Sequence, residues 1–327
     1  MYKKLAFLSL VLLLSLLSVA QQNADPVSQP FITFNPPGAT TTNPTGINSA
    51  GVVTGWYIDS KGTHGFLRAA GKLTTFDPKG STGTSAQSIN VHGVITGWYG
   101  TGSAFHGFVR DTAGTIMSFD PPDSVSTIPL GINAGGAISG YYFDQFLITH
   151  GFVRSATGKL TEFDPPTSLD TRAVGINKSG AITGFFDDAI GTHGFVHAKG
   201  RFTTFDVPNS FETKPISIND AGETTGWYTD PAFHGFVRDA AGNITTFDPP
   251  GSTSTTGISI SPTGVVAGYW IDGSRVVHGF LRDAAGNITT FDVPNSTSTF
   301  TTGMNSAEVI TGFTTVGGVQ IGYVTHP

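Results

Sequence analysis

Histidine and aspartate recur together along this 327-residue chain, and the pair is the most regular chemical feature of the sequence. Each copy carries a His-Gly-Phe tripeptide and, 13 or 14 residues later, a Phe-Asp pair in front of a proline-containing turn. A metal site needs several ligands that converge on one point. Because each copy supplies one histidine, we predict structural histidines that tie strands together through the Phe-Asp carboxylate. The histidines are His64, His106, His150, His193, His234 and His278, and the aspartates are Asp77, Asp120, Asp164, Asp206, Asp248 and Asp292.

A threonine follows each acidic position by seven residues and does not vary between copies. An aspartate before a tight turn commonly accepts hydrogen bonds from backbone N–H groups. We therefore predict that both residues are structural parts of the turn and that the protein has no cofactor. Calcium held by these aspartates and nearby carbonyls is the alternative, although the sequence has no D-x-D-x-D-G loop. The threonines are Thr42, Thr84, Thr127, Thr171, Thr213, Thr255 and Thr299.

The residue after that threonine behaves in the opposite way, because it differs in every copy within a segment of constant length. Variable side chains at one place on a rigid scaffold are typical of a ligand surface, and drift at a solvated position is the alternative. These variable residues are Asn43, Ser85, Ile128, Arg172, Lys214, Thr256 and Phe300. The predicted ligand-binding residues are Arg172, Lys214, Phe300 and Asn43, with Asp187, Asp188, Asp230 and Asp272 from loops on the same face.

A repeating unit of 42 to 44 residues positions these side chains. Its first landmark is the series Asn48, Asn90, Asn133, Asn177, Asn219, Ser261 and Asn305. In the copy from Ser217 to Pro250, turn residues separate four β-prone runs. We predict strand a ending at Ile218, strand b over 223–228, strand c over 234–238 and strand d over 244–247. No long run has the 3.6-residue apolar spacing of a helix, and a four-stranded unit of this length is typical of a β-propeller blade.

The two ends of the chain carry incomplete copies that complement each other. Phe31 to Pro37 matches strand d alone, with Asn35 at the aspartate position, whereas Gly303 to Val324 matches strands a to c. Pairing the two fragments removes exposed strand edges, which favour aggregation. The sequence therefore predicts an all-β protein, a seven-bladed β-propeller whose last blade combines N-terminal strand d with C-terminal strands a to c. The propeller forms a single domain over 31–327.

The N-terminus has the features of a secretory signal peptide over residues 1–20. Lys3 and Lys4 precede an apolar core, and Ser18, Val19 and Ala20 form a small-residue cleavage site. The apolar run is too short for a membrane span. We predict cleavage after Ala20, a disordered lead-in over 21–30, and a secreted or periplasmic protein without a membrane span.

Composition excludes several classes of function. The chain has no cysteine, which excludes disulfides, thiol nucleophiles and thiolate metal sites. The formal charge of −6 becomes −8 once Lys3 and Lys4 are removed. Since there is no basic run either, nucleic acid is not an expected partner.

The unit resembles the bacterial extracellular repeat family named after its His-Ala-Phe tripeptide. The likeness lies in a Gly-containing strand and a short loop ahead of the tripeptide, as in the segment from Gly226 to Phe236, GWYTDPAFHGF, and it covers Phe31 to Val324. The chain departs from the family pattern by having Gly where Ala is usual, and by lacking a surface-sorting segment after Pro327. The resemblance implies export and a repeat β fold, and it implies no established catalytic activity.

These features lead us to expect an exported, monomeric binding or scaffold module for an extracellular carbohydrate or protein, and not an enzyme. The alternative is an extracellular polysaccharide lyase or hydrolase with its site at the channel mouth, where Arg172, Lys214, Asp187 and Asp188 are the nearest candidates. The fold alone does not decide between these functions. His197 breaks the repeat, but we expect it to lie away from these aspartates.

Overall fold

The computed structural model describes residues 31–325, and every regular element in that range is a β-strand. The predicted all-β class is therefore confirmed for these residues. No helix within them is long and apolar enough to cross a membrane. The predicted signal peptide and lead-in lie outside the described residues.

The 28 strands are short, with turns between them. The first fourteen are β1 (Phe31–Phe34), β2 (Thr41–Ile47), β3 (Val53–Asp59), β4 (Gly62–Ala69), β5 (Lys72–Phe76), β6 (Gly83–Ile89), β7 (Ile95–Thr101), β8 (Ala104–Arg110), β9 (Ile116–Phe119), β10 (Ser126–Ile132), β11 (Ile138–Phe143), β12 (Thr149–Arg154), β13 (Leu160–Phe163) and β14 (Asp170–Ile176). The others are β15 (Ile182–Asp187), β16 (Thr192–Ala198), β17 (Arg201–Phe205), β18 (Glu212–Ile218), β19 (Thr224–Asp230), β20 (Ala232–Arg238), β21 (Ile244–Phe247), β22 (Ser252–Ile260), β23 (Val266–Asp272), β24 (Val277–Arg282), β25 (Ile288–Phe291), β26 (Thr299–Met304), β27 (Ile310–Val316) and β28 (Val319–Thr325).

Antiparallel pairing joins these strands in sets of four, which we number in chain order and whose strands we call a to d. The first set is β2–β5, the second β6–β9, the third β10–β13, the fourth β14–β17, the fifth β18–β21 and the sixth β22–β25. The seventh set is β26, β27 and β28 with β1 as its strand d, because Phe31 pairs with Thr325 and Phe34 with Gly322.

The bounds expected for the fifth set are right for strand d and for the end of strand a, whereas strand b begins one residue later than expected, at Thr224, and strands b and c both extend further into their hairpin. Strand b continues to Asp230 and strand c begins at Ala232. The reason is that Thr229 pairs with Phe233 and Asp230 with Ala232, so the hairpin ladder continues almost to its tip. Proline at position 231 occupies the tip, where no ladder hydrogen bond is needed.

Aromatic side chains fill the space between successive sets. Phe119 on strand d of the second set meets Phe152 on strand c of the third edge-on, with ring centres 6.1 Å apart. The guanidinium of Arg154 lies 4.9 Å from the centre of the Phe119 ring. Edge-to-face aromatic pairs and cation–π contacts both stabilise such packing. Each set is therefore buried against its neighbours, and the core is divided into layers between sets.

The glycine of each His-Gly-Phe tripeptide lies beneath the strand-d phenylalanine ring. A Cβ added to Gly107 would lie 2.9 Å from Cζ of Phe119, and one on Gly65 would lie 2.8 Å from Cε2 of Phe76. Alanine would force the ring out of the layer between the sets. This contact is a physical reason for glycine at the second position of the tripeptide.

Strand a of each set contacts strand a of the next around a central channel, and β26 also contacts β2. Each strand a has a β-bulge, and the unpaired bulge residue lines the channel. These residues are Thr45, Gln87, Leu130, Val174, Ile216, Ile258 and Thr302. One side of the channel is therefore apolar and the other polar.

The landmark asparagines form a chain of hydrogen bonds around one end of the channel. Nδ2 of Asn48 donates to the carbonyl oxygen of Asn90 at 3.2 Å, and Nδ2 of Asn305 donates to the carbonyl oxygen of Asn48 at 2.9 Å. Ser261 interrupts the series because its side chain has no amide. Oε1 of Glu308 instead accepts hydrogen bonds from Thr263 Oγ1 at 2.6 Å and from Ser261 Oγ at 3.4 Å. Glu308 reaches this position from a left-handed backbone, with φ of 61°.

Candidate functional site

The repeated histidines lie between two elements of their own set. Nδ1 of His150 is 2.7 Å from Oδ2 of Asp164 on the strand d side, and Nε2 is 3.7 Å from Oδ2 of Asp144 in the b–c loop. Six such Nδ1–aspartate contacts have lengths from 2.7 to 3.0 Å. In four of the six copies the Nε2 partner is an aspartate five or six residues before the histidine, namely Asp59, Asp144, Asp188 and Asp272.

The surrounding carboxylates control the charge of two of these histidines. Burial opposes protonation of His150 and His193, but hydrogen bonds and charges from the paired aspartates outweigh it and raise the pKa of both. Hydrogen bonds from the backbone of the b–c loop lower the pKa of Asp188, and His193 lowers it further. The paired carboxylates therefore favour the protonated form of these two histidines, whose rings contact both the b–c loop and the strand d side of the set.

The threonines after each acidic position are buried, and four of the seven form hydrogen bonds within the d–a link. Thr127 Oγ1 donates to Oδ1 of Asp120 at 2.5 Å, and Thr42 makes the equivalent contact with Asn35. The fourth and sixth sets have valine where others have proline, and the threonine then accepts the valine N–H. The distance from Val207 N to Thr213 Oγ1 is 3.0 Å.

The seven variable residues of strand a each lie opposite an aromatic residue of strand b in the sheet register. These aromatic residues are half-buried, and they lie toward the end of the channel where b–c loops and d–a links meet. We call them the aromatic collar, and they are Trp56, Trp98, Tyr141, Phe185, Trp227, Tyr269 and Phe313. The next residue of each strand b faces the other way, as Tyr99 does, and Tyr99 is 8% exposed.

Two cations lie on either side of one member of the collar. The guanidinium carbon of Arg172 is 5.6 Å from the centre of the Phe185 ring, and Nζ of Lys214 is 5.4 Å from it. Arg172 also lies 5.8 Å from the ring centre of Tyr141, and Lys214 lies 4.8 Å from the Trp227 ring. The variable residues therefore reach across neighbouring sets and place charge among the aromatic faces.

Phe300 and Asn43 are uncharged variable residues that also lie opposite rings of the collar. Phe300 stacks on Phe313 with ring centres 4.6 Å apart and lies 5.1 Å from Tyr269. Asn43 is in register with Trp56 on strand b. The collar thus presents an uninterrupted series of aromatic and variable side chains.

Three of the four loop aspartates that we expected beside the cations accept hydrogen bonds within their own hairpin. Asp187 accepts a hydrogen bond from Thr192 Oγ1 at 2.5 Å, and Asp188 accepts one from the backbone N–H of Ile190 at 2.8 Å. Asp272 caps its loop in the same way, and backbone hydrogen bonds lower its pKa. Asp230 is exposed at a hairpin tip.

The anion that does pair with a cation at the collar is one that the sequence did not single out. Oε2 of Glu212 is 3.2 Å from Nζ of Lys214, two residues along the same strand. A spacing of two places both side chains on one face of a strand, so this pair was recoverable from the sequence. Among residues 31–325, no group of three or more histidine and carboxylate side chains is arranged to hold a metal ion.

No protein-family model matches the sequence, and the comparison with curated proteins found no match. Solved structures nevertheless share its architecture. Virginiamycin B lyase from Staphylococcus aureus superposes with a TM-score of 0.63 at 16% identity, over 91% of this chain and 99% of that one. The chain folds as a β-propeller.

Two further propellers support this assignment. The propeller domain of the Trilobed protease from Pyrococcus furiosus, which has an open velcro topology, gives a TM-score of 0.63 at 11% identity over 87% of this chain and 95% of that domain. The BP39L lectin from Burkholderia pseudomallei gives 0.52 at 12% identity over 78% and 86%. At such identities the likeness shows the fold, and the function must be argued from the site.

Proposed function

We propose that this chain is an exported, seven-bladed β-propeller that binds extracellular carbohydrate on its aromatic collar. The contacts between the seventh and first sets support a closed ring. Strand β1 completes the seventh set, and Thr302 Oγ1 donates to the carbonyl oxygen of Pro44 at 2.7 Å. A closed ring leaves no strand edge exposed and holds the collar residues at fixed positions.

The collar carries the proposal because it combines flat apolar faces with polar side chains. Ligand sites are mostly apolar and aromatic, with a few polar groups that fix orientation. A pyranose ring has an apolar face of C–H groups that packs on an aromatic ring, while its hydroxyls need hydrogen-bond partners. Arg172, Lys214 and Asn43 provide such partners between the rings. The charges of Lys214 and Glu212 offset each other, which suits a neutral or weakly acidic glycan.

A protein partner is the second candidate, favoured by exposed apolar loops at the same end of the propeller. Phe146 is 72% exposed, Ile190 is 86% exposed and Phe211 is 67% exposed, in loops and links of the third to fifth sets. Exposed apolar patches of this kind are typical of interaction surfaces. A protein bound there would cover the collar in the same region.

A polysaccharide lyase or hydrolase stays the alternative to a binding module. Such an enzyme needs a base or acid that is free to meet the substrate. Asp187 and Asp188 already accept hydrogen bonds from their own loop, and Lys214 is paired with Glu212. The binding function is therefore the better supported of the two.

Tryptophan fluorescence provides a direct test, because three of the four tryptophans belong to the collar. We expect glycans identified on an array to change the emission of the exported chain on titration. Trp227→Ala removes one stacking face, so affinity falls by tenfold or more, corresponding to at least about 1.4 kcal/mol. Met117→Ala on strand β9, 51% exposed and outside the collar, is the matched control and leaves affinity unchanged.

Two results would contradict the proposal. One is glycan binding that Trp227→Ala leaves intact. The other is product formation from a polysaccharide that Asp188→Asn abolishes, which would establish the enzymatic alternative. An array without any hit, together with capture of a protein that Phe211→Asp prevents, would establish the second candidate instead.

A further inference from the structure

A cavity opens between the third and fourth sets, on the side of the outer strands. Its volume is about 640 Å³, whereas two segments of the central channel measure about 320 and 440 Å³. It is lined by the d–a link ahead of the fourth set and by strands b, c and d of that set. Several of its lining residues depart from the repeat, and each departure changes the space or the chemistry of the cavity.

Phe186 leaves space where other sets have a hydroxyl. Four other sets have tyrosine at this place in strand b, and the Tyr99 hydroxyl lies 2.7 Å from Ser118 Oγ on strand d. The fourth set has Thr204 at the position of Ser118, but Phe186 has no hydroxyl to meet it. Both Phe186 and Thr204 consequently face the cavity.

Phe202 and His197 alter the next layer of the same interface. Phe202 stands where five other sets have leucine or isoleucine, and His197 stands where five have arginine. The two rings stack with centres 4.5 Å apart, and His197 also lies 4.6 Å from Phe163 of the third set. Burial lowers the pKa of His197 and so favours its neutral form. The interface between the third and fourth sets therefore contains stacked aromatic rings in place of the arginine guanidinium that five other sets have at this position.

Thr167 has a backbone conformation that disfavours its side chain. Its φ is +70°, and the equivalent residues of the other sets are glycine, aspartate or asparagine, also with positive φ. A β-branched residue is rarely found in this region, and such strain is concentrated at functional sites. Thr167 lines the cavity, where it adds a hydroxyl that glycine would not supply.

Asp206 is more accessible than most of its equivalents. In the second set, Thr127 donates to Asp120, whose side chain is 34% exposed. In the fourth set, the threonine accepts the N–H of Val207 instead, and the Asp206 side chain is 49% exposed. Both Asp206 oxygens lie 3.0 Å from His193 Nδ1, which leaves lone pairs directed to the solvent side.

We propose that this cavity is a second binding site, independent of the collar, for a neutral hydroxyl-rich ring of mono- or disaccharide size. Phe186 and Phe202 provide apolar faces for the C–H groups of such a ring. Asp206 accepts hydrogen bonds from its hydroxyls, and Arg201 donates to its oxygens. Asp188 and Asp206 oppose an anionic ligand and Arg201 opposes a cationic one, so an uncharged ligand is favoured. A cavity of this volume is of the size that small ligands occupy.

Restoring the tyrosine that four other sets have at the position of Phe186 tests this proposal. The probes are methyl β-D-glucopyranoside, methyl α-D-mannopyranoside, cellobiose and maltose, each measured against the full chain by saturation-transfer difference NMR. Phe186→Tyr fills the cavity with a hydroxyl that can bond Thr204, as the Tyr99 hydroxyl bonds Ser118 in the second set. We expect it to weaken binding roughly tenfold, the effect of losing about one hydrogen bond or equivalent contact. Tyr228→Phe makes the reciprocal change in the fifth set and is the matched control, with binding unchanged.

Two more variants separate this site from the collar and from simple loss of structure. Thr167→Gly relieves the strained backbone, so we expect a higher melting temperature together with weaker binding. Trp227→Ala disrupts the collar and leaves binding in the cavity unchanged. The proposal is overturned if no probe gives a transfer signal. It is also overturned if Phe186→Tyr and Thr167→Gly bind as well as the wild type, or if the signal disappears in Trp227→Ala and persists in Phe186→Tyr.

Discussion

The proposed closure of the ring by the N-terminal strand can be tested by comparing two phenylalanines in equivalent positions. Phe34 lies on β1 and Phe119 on β9, both on strand d and both half-buried. The Phe34 ring meets Phe66 at 5.9 Å and Arg68 at 4.9 Å, and the Phe119 ring meets Phe152 at 6.1 Å and Arg154 at 4.9 Å. The two sites differ in position along the chain and hardly in local packing.

The magnitude follows from this packing. Truncating a core phenylalanine to alanine costs about 3–5 kcal/mol, including about 0.5–1.5 kcal/mol for an aromatic pair. Because both rings are half-buried, we expect each substitution to cost about 3 kcal/mol, the lower end of this range. If β1 closes the ring, Phe34→Ala and Phe119→Ala lower the free energy of unfolding equally. The comparison cancels the effect of the substitution on the unfolded chain, because both replace the same residue type.

Denaturant unfolding followed by tryptophan fluorescence measures both losses, and thermal melts provide a second scale. At about 2–4 °C per kcal/mol, we expect each variant to melt about 6–12 °C lower. Deleting residues 31–37 removes the whole strand and is expected to cause larger destabilisation or aggregation through the exposed edge of β28. A Phe34→Ala loss below about 1 kcal/mol beside a full Phe119→Ala loss of about 3 kcal/mol would refute closure by β1.

Three further predictions concern the charge of His150, the glycine of the tripeptide and the two cations of the collar. Because the pKa of His150 is raised in the folded state, its positive charge stabilises the fold fully below pH ~6.5, and this contribution is lost as pH rises through the folded pKa. Unfolding measurements should therefore show a larger loss of stability for His150→Asn at pH ~5.5 than at pH ~8.5. Equal losses at the two pH values would exclude the charged form. Gly107→Ala should cost about 1–3 kcal/mol by displacing the Phe119 ring, whereas Gly273→Ala, with no atom within 4 Å of the added Cβ, should be near neutral in the same melts. Replacing both Arg172 and Lys214 with alanine should weaken glycan binding. It should also lower the free energy of unfolding by about 1–3 kcal/mol, because each cation lies over two aromatic rings. Unchanged affinity in a binding titration would show that the cations are not part of the site.

The sequence predicted most of the strands and turns within each repeat. Alternating β-prone runs and turn residues set the strands, and the exact ends of β21 follow from the hairpin turn before Ile244 and the prolines after Asp248. The all-β class and the absence of helix in residues 31–325 follow from the same pattern. These features depend on contacts within about twenty residues, which a single copy of the repeat contains in full.

The candidate sites depended on contacts between repeats, which the spacing of residues within one copy does not specify. The sequence identified Arg172 and Lys214 as variable positions, but only packing of successive sets places both beside Phe185. Likewise, Thr167 and Phe186 belong to different copies of the repeat, and the cavity they line exists because the third and fourth sets meet there. Backbone periodicity determined which way each side chain points within its strand, whereas the tertiary structure determined which neighbouring side chains it meets.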